Sequence, residues 1–438
     1  MTRDRRVLWL LWLILGVGVP DARAGEEPSK VRLGVYLEYE YFSYLTSLGG
    51  EVVDSRNAFT AIPRLDWAPH HDLLLHASVL MRKDFSEEER SRIYAYDAFM
   101  SLERETWSFS IGREVLSWGR ADSLRPTDVF QRHDYTDLIE DRVEATDVVK
   151  VTFSRGTGTL EGVWAPVFTP DIVSYAADNR WTGLPATTDV PGVGQVSLTY
   201  DEDSQQRPPA TLASGQVGIR FSGTTGGWDY SGMGYYGYDR VPTITLHEVE
   251  TQDPAAQTAT IRLVPTHKRI TVFGGDFAKA ISRWTVRGEA AYTLTADLDP
   301  GTTGINDPYF RFTGGADRTI SSTTSAQSFL FGIQYALDTE AEQPGPLDTQ
   351  EVNPWLHPFR QALVVNTSWK FTESVRFDFR GYVNRVEHDY LVRPEFVWTP
   401  IDSMTIVIGS DVLGGQATTF FGQYRDNDRL RLRMSYTF

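Results

Sequence analysis

The sequence predicts an all-β protein, a transmembrane antiparallel β-barrel of about eighteen strands with short periplasmic turns and long extracellular loops. Three observations predict it. Apolar and polar residues alternate with a period of two from residue 31 to the last residue, the pattern of strands whose faces meet different surroundings. Beyond the first two dozen residues no stretch approaches the roughly 18 apolar residues that a spanning helix needs, and a chain without such a helix can still cross a bilayer as a closed barrel. The connections, finally, alternate between short and long, as in outer-membrane barrels.

The opening MTRDRRVLWLLWLILGVGVPDARAG has a basic start (Arg3, Arg5, Arg6), an apolar run from Val7 to Val19, and the small-x-small triplet Ala22-Arg23-Ala24. This is the pattern of a cleavable secretory signal over residues 1–24, and it leaves a single barrel domain over 25–438. Its loss moves the formal charge from -16 to about -18, and an acidic exported chain is a poor partner for nucleic acid. With no cysteine, disulfides, thiolate metal sites and thiol nucleophiles are excluded.

The first strand, VRLGVYLEYEY, sets Val31, Leu33, Val35, Leu37, Tyr39 and Tyr41 against Arg32, Gly34, Tyr36, Glu38 and Glu40. Similar alternation follows at YAYDAFMSLE, VVKVTF, GQVGIRFSG, RWTVRGEAAYTL, SFLFGIQYAL, ALVVNTSWKF, VRFDFRGYV, YLVRPEFVW and MTIVIGSDV. APHHD, RET, RGTG, GTTGG, KAIS, TES and TPIDS read as short turns, whereas 45–56, 114–145, 167–213, 295–307, 339–359 and 414–428 read as long loops. Seventeen strands would break the even parity of a barrel whose ends lie on one side. Dividing 307–338 into YFRFTGGADRT and SFLFGIQYALD restores it, giving eighteen strands, with sixteen as the alternative. TITLHEV and TATIRLVPT, within 241–268, extend two strands beyond the bilayer. The last strand places Leu430, Leu432, Met434, Tyr436 and Phe438 toward lipid and Arg429, Arg431 and Arg433 toward the lumen.

Function is to be sought in that lumen. The polar strand faces carry fourteen cations, among them Arg287, Arg376, Arg380, Arg429, Arg431 and Arg433, against ten acids. Closure sets Arg431 and Arg433 across from Glu38, Glu40 or Arg32, which fits either a salt-bridge network that stiffens the wall or an anion-favouring pore. The long segment GREVLSWGRADSLRPTDVFQRHDYTDLIEDR is expected to fold inward and narrow the barrel, or to lie as a lid on neighbouring loops. Its candidate residues are Trp118, Gly119, Arg120, Arg125, Pro126, Asp128 and Arg132, and Pro126 can open a short helix. In FTPDIVSYAADNRW, Thr169 can cap and Pro170 can start another helix that plugs the mouth. The Pro-, Gly- and Ser-rich segment that follows is expected to be mobile. The eight histidines include the adjacent His70 and His71 but form no HExxH spacing, and GxSxG is absent. Neither an enzyme nor a metal or other cofactor is expected.

At SWGRADSLRPTDVF, LEGVWAPVFTP and FFGQYRDNDRLRLRMSYTF the chain resembles a family of proteobacterial outer-membrane barrels largely of unknown function and, more distantly, the alginate-export porins. The matching positions are Gly112, Arg113, Trp118, Gly119, Pro126 and Asp128. Tyr436 and the terminal Phe438 likewise resemble the signal read by the barrel assembly machinery. The resemblance implies passage of a solute or polymer across the bacterial outer membrane, among lipid and lipopolysaccharide. In the alginate-export porins an arginine-lined lumen carries an anionic polysaccharide; some other relatives are connected with inner-membrane efflux or hydrophobic compounds. The expectation is therefore an outer-membrane channel with an anion-leaning lumen, its solute unnamed, served by an inner-membrane or periplasmic partner. The alternatives are a loop-plugged structural or binding barrel and a route for hydrophobic compounds.

Overall fold

The computed structural model describes residues 30–50, 52–140, 142–176, 178–184, 187–190, 194–200, 207–253, 258–295, 308–339 and 358–438. The expected signal segment and most of the loops 295–307 and 339–359 lie outside the described residues.

Eighteen antiparallel strands close on themselves. In order around the wall they are Lys30–Tyr44, Ser55–His70, Leu73–Asp84, Arg92–Glu103, Trp107–Glu114, Thr146–Arg155, Gly158–Ala165, Gln216–Thr225 and Trp228–Tyr238. The second half runs Arg269–Ile281, Trp284–Thr295, Tyr309–Ser321, Ser328–Asp338, Gln361–Lys370, Val375–Asn384, Tyr390–Ile401, Met404–Gly414 and Arg429–Thr437. Each pairs with its successor, and the last returns to the first with Tyr36 opposite Thr437 and Tyr44 opposite Arg429. The seam is finished by the terminal residue: Val35 N donates to the Phe438 carbonyl at 2.7 Å and Phe438 N to the Val35 carbonyl at 3.1 Å. Closure leaves no unpaired edge, which removes the aggregation hazard that so long a sheet would otherwise carry.

The period-two faces separate as the alternation requires. Leu430 and Phe438 are each 54 % exposed on the outside, while Arg429 at 0 % and Glu40 at 1 % point inward. The core lies between the inner wall and chain that folds into the barrel. Leu116, Trp118 and Phe130 of the 115–145 segment pack on Val148, Val163, Met233, Tyr235 and Val272 of the wall. Ile139 and, from the next long loop, Trp181 pack on Val364, Tyr382, Leu391 and Leu413 with Phe421 and Tyr424.

Beyond the long-loop rim stands a small separate sheet in the order Thr187–Val190, Gly194–Tyr200, Thr258–Thr266, Thr243–Asp253. Residues 241–268 thus do run on as strands, but after a break from the wall, and Gly194–Tyr200 joins them in parallel. Part of the segment expected to be mobile is therefore paired. Two helix expectations fail. Around Pro170 the chain makes a parallel bridge between Ile172 and Asp134, Asp171 accepts from His133 N at 2.8 Å, and Ile172 N donates to the His133 carbonyl at 2.9 Å. After Pro126 there is only a turn, and Thr127 N donates out of the segment to Glu289 at 2.8 Å.

Candidate functional site in the barrel lumen

The 115–145 segment leaves the wall at Glu114 and rejoins it at Thr146, which are register partners, so everything between is free to cross the lumen. Its first half is moored to one side of the barrel. Glu289, 2 % exposed, accepts from Thr127 N and Thr127 Oγ1, each at 2.8 Å, from Arg120 N at 2.9 Å and from Ala121 N at 3.1 Å. One carboxylate thereby satisfies three backbone amides of an irregular segment and one hydroxyl. Asp128 folds the segment on itself, accepting from Gly119 N at 2.8 Å and from Trp118 N. Arg120 pairs with Asp276, Asp122 accepts from Gln334 Nε2 at 2.9 Å, and Thr313 donates to the Leu124 carbonyl at 2.9 Å. Gly218 makes room on the wall: a Cβ there would stand 2.5 Å from Phe130 and 2.7 Å from Trp118.

The second half crosses to the opposite wall, where the terminal arginines wait. Arg429 bonds Asp137 at 2.6 Å and Asp411 at 2.7 Å, and Arg56 reaches Asp137 at 3.0 Å. Glu140 receives Arg393 and Arg431, each at 3.3 Å, together with Arg433. Arg142 of the segment pairs in turn with Glu38, at 3.1 Å, and with Glu40 of the first strand. Burial alone would raise the Asp137 carboxyl, but Arg429 and Arg56 hold it well below the usual carboxylate range. Burial acts the same way on Glu140, and Arg433, Arg393 and Arg431 override it. Arg429 also lies 4.4 Å from the Phe42 ring centre and 4.9 Å from that of Trp181.

The sequence candidates thus fall into distinct places. Arg433 pairs with Glu40 at 3.0 Å across the seam, as expected, whereas Arg431 turns to Glu140, Glu395 and Asp411. Arg429 and Arg431 are buried against the segment. Arg287 pairs with Asp317 and, at 3.4 Å, with Asp122. Arg376 sits at the short-turn rim beside Asp378 at 2.8 Å. Arg125 donates to the Ala121 carbonyl at 2.9 Å and Arg132 to the Pro170 carbonyl at 2.6 Å. Glu140 went unnoticed because DLIEDR reads as a solvated acidic stretch, and its partners lie some 250 or more residues away.

Between the inward segment and the far wall remains a cavity of about 480 Å³. Ile270 and Val272 on one stretch of wall and Tyr382, Leu391 and Phe421 on another give it apolar lining; Arg311, Arg380 and Arg393 face it together with Asp122, Glu140, Asp171 and Asp239. Arg393 is bonded to Asp411 and Arg311 to Asp338, each at 2.8 Å. Arg380, opposite Arg393 in register, is exposed and has no hydrogen bond or ion pair among the described residues.

A closed eighteen-strand barrel carrying an inward segment defines an outer-membrane β-barrel of porin fold. Residues 81–313, more than half of the chain, match the family described as a protein of unknown function (DUF1302), and the chain belongs to that family. Among solved structures it is similar to Pseudomonas aeruginosa OccK1 (OpdK), with a TM-score of 0.52 at 10 % identity over 93 % of this chain and 98 % of that one. Pseudomonas aeruginosa OccK3 (OpdO) gives 0.52 at 10 % over 93 % and 95 %, and OpdK solved with vanillate gives 0.51 at 10 % over 93 % and 98 %. No protein of curated description matches the sequence.

Proposed function

We propose that the barrel is an outer-membrane channel for small amphiphilic anions, narrowed by its own 115–145 segment. The observation that carries this reading is the lumenal cavity, partly apolar in its lining and offering Arg380 as a cation without an acidic partner among the described residues. The lumenal arginines of the last strand are neutralised by Asp137, Glu140, Asp411 and Glu40, so net attraction for an anion falls to Arg380. A volume of this order suits one small ligand and favours a small solute over a polymer. Selectivity then comes from width, wall charge and the apolar lining, with no cofactor required.

Single-channel conductance in a planar bilayer under a salt gradient tests the reading, with vanillate, the ligand named in one OpdK structure, as the first aromatic carboxylate to try as a blocker. Anion-biased conductance that vanillate reduces is the expected result. A second reading, a barrel closed by its loops with a structural role, is favoured by the clamping of the mouth. Arg180 donates to carbonyls of Thr46 at 2.6 Å, Val53 at 3.0 Å and Asp426 at 3.1 Å, tying the 167–213 loop to those of 45–56 and 414–428. Silence from folded, inserted protein would select it.

A further inference from the structure

Three side chains at the short-turn rim have no part in the lumenal site: His70, His71 and Asp72, which join the second and third strands of the barrel. One ligating atom from each lies within 4.8 Å of the others. His71 Nε2 is 3.0 Å from Asp72 Oδ1 and His70 Nδ1 is 3.6 Å from Asp72 Oδ2, and the two imidazole rings are 4.0 Å apart between centres. Nitrogen and oxygen donors bound to one zinc ion at about 2.0–2.1 Å stand roughly 3.3 Å from one another. The two spacings to Asp72, 3.0 and 3.6 Å, bracket that value, and the three ligating atoms together lie within 4.8 Å, close enough for small side-chain rotations to bring them onto one ion.

The turn itself gathers them. A register irregularity between Trp67 and His70 interrupts the strict alternation that would send successive side chains to opposite faces, so adjacent histidines can share one side. Asp72 is fixed from outside: Arg104 pairs with its carboxylate, and Glu103 N donates to its backbone carbonyl at 2.8 Å. A basic partner that orients a ligating carboxylate is the kind of outer contact that metal sites use. Both imidazoles are largely open to solvent, at 61 % and 67 %, which leaves the remaining coordination position to water.

We propose that His70, His71 and Asp72 form a surface binding site for a divalent transition-metal ion of the zinc class, at the rim that the topology places in the periplasm. Two imidazoles and a carboxylate suit zinc, copper or nickel and disfavour calcium or magnesium, which take oxygen donors. His76 is a different case: its ring already faces Asp66 at 2.6 Å and Asp97 at 3.1 Å inside the barrel, which makes it the internal control.

The test is calorimetric titration of zinc chloride into the mature full-length barrel, refolded free of lipopolysaccharide and of any histidine tag, with folding checked by heat-modifiable gel mobility. One zinc per chain is expected for the native protein and for His76→Ala. His70→Ala and His71→Ala should each weaken binding tenfold or more, and Arg104→Ala should weaken it less. Absence of stoichiometric binding, or affinity unchanged in the His70→Ala/His71→Ala double variant, would overturn the proposal. His70, His71 and Arg104 are exposed, so their variants should fold, and the heat-modifiable mobility checks His76→Ala, whose side chain is inside the barrel.

Discussion

Arginines that look alike in the sequence have opposite uses in the lumen. Arg429 is wholly buried between Asp137 and Asp411; Arg380 is exposed to the cavity with no ionic partner among the described residues. Truncating the first takes one arginine from each carboxylate and leaves Arg56 on Asp137 and Arg393 on Asp411, so the cost should fall below the roughly 3–5 kcal/mol of a buried charge left with no partner. Arg429→Ala should therefore lower the unfolding midpoint in a detergent–urea titration, and a second change, Asp137→Asn, should lower it further because the buried Arg56 then loses its 3.0 Å partner. Equal midpoints for Arg429→Ala and the native barrel would show that water reaches and relaxes the site. Arg380→Glu should leave that midpoint nearly unchanged, since no bond is lost. Its effect belongs to permeation: the reversal potential in a salt gradient should move toward cation preference. A folded Arg380→Glu channel with unaltered preference would remove this residue from the path.

At the scale of the element, the inward segment behaves as a strap fastened at two ends by different chemistry. Glu289 holds backbone donors on one side, and Asp137 and Glu140 engage arginines on the other. The second fastening has a pH dependence whose sign is fixed by the depressed carboxyls of Asp137 and Glu140. A carboxyl lower in the folded than in the unfolded state contributes stability that is complete above its unfolded value, near 4. That stability is lost as pH falls through the folded value. Conductance should accordingly be steady from pH 7 to about pH 4 and rise only in stronger acid, as the strap releases. A rise centred near pH 6 would point to a different group.

Much of the wall was legible in advance because strand alternation and even parity are local or arithmetic properties of the chain. The division of 307–338 into two strands rested on parity and on the alternation of short and long connections, and Tyr309–Ser321 and Ser328–Asp338 stand there. The strap's route was not legible, because Arg433 and Glu140 are far apart in sequence and only closure brings them together. Local capping signals also misled. Thr169-Pro170 can start a helix in isolation, but here Asp171 and Ile172 bond to the His133 backbone and the chain runs as a bridge beside Asp134.

On the scale of the whole molecule, an eighteen-strand wall encloses a lumen wide enough for water unless chain fills it, so the strap should set the conductance. Replacing residues 116–141 by a short Gly-Ser linker is feasible because Glu114 and Thr146 are register partners and a tight hairpin can join them. The wall would lose the apolar cover of Trp118 and Phe130, but its strand ladder would stay whole. Conductance should rise several-fold. Selectivity should change with it, because Asp137 and Glu140 leave while Arg56, Arg393, Arg429 and Arg431 remain facing water. The opened pore should therefore be more anion-selective than the native one, and more sensitive to salt, since charges newly exposed to electrolyte are screened. Larger conductance without stronger anion preference would mean that Asp411, Glu395 and Glu40 neutralise the arginine ladder unaided. An unchanged conductance would place the narrowest point outside the strap, at the mouth where Arg180 ties the 167–213 loop to its neighbours.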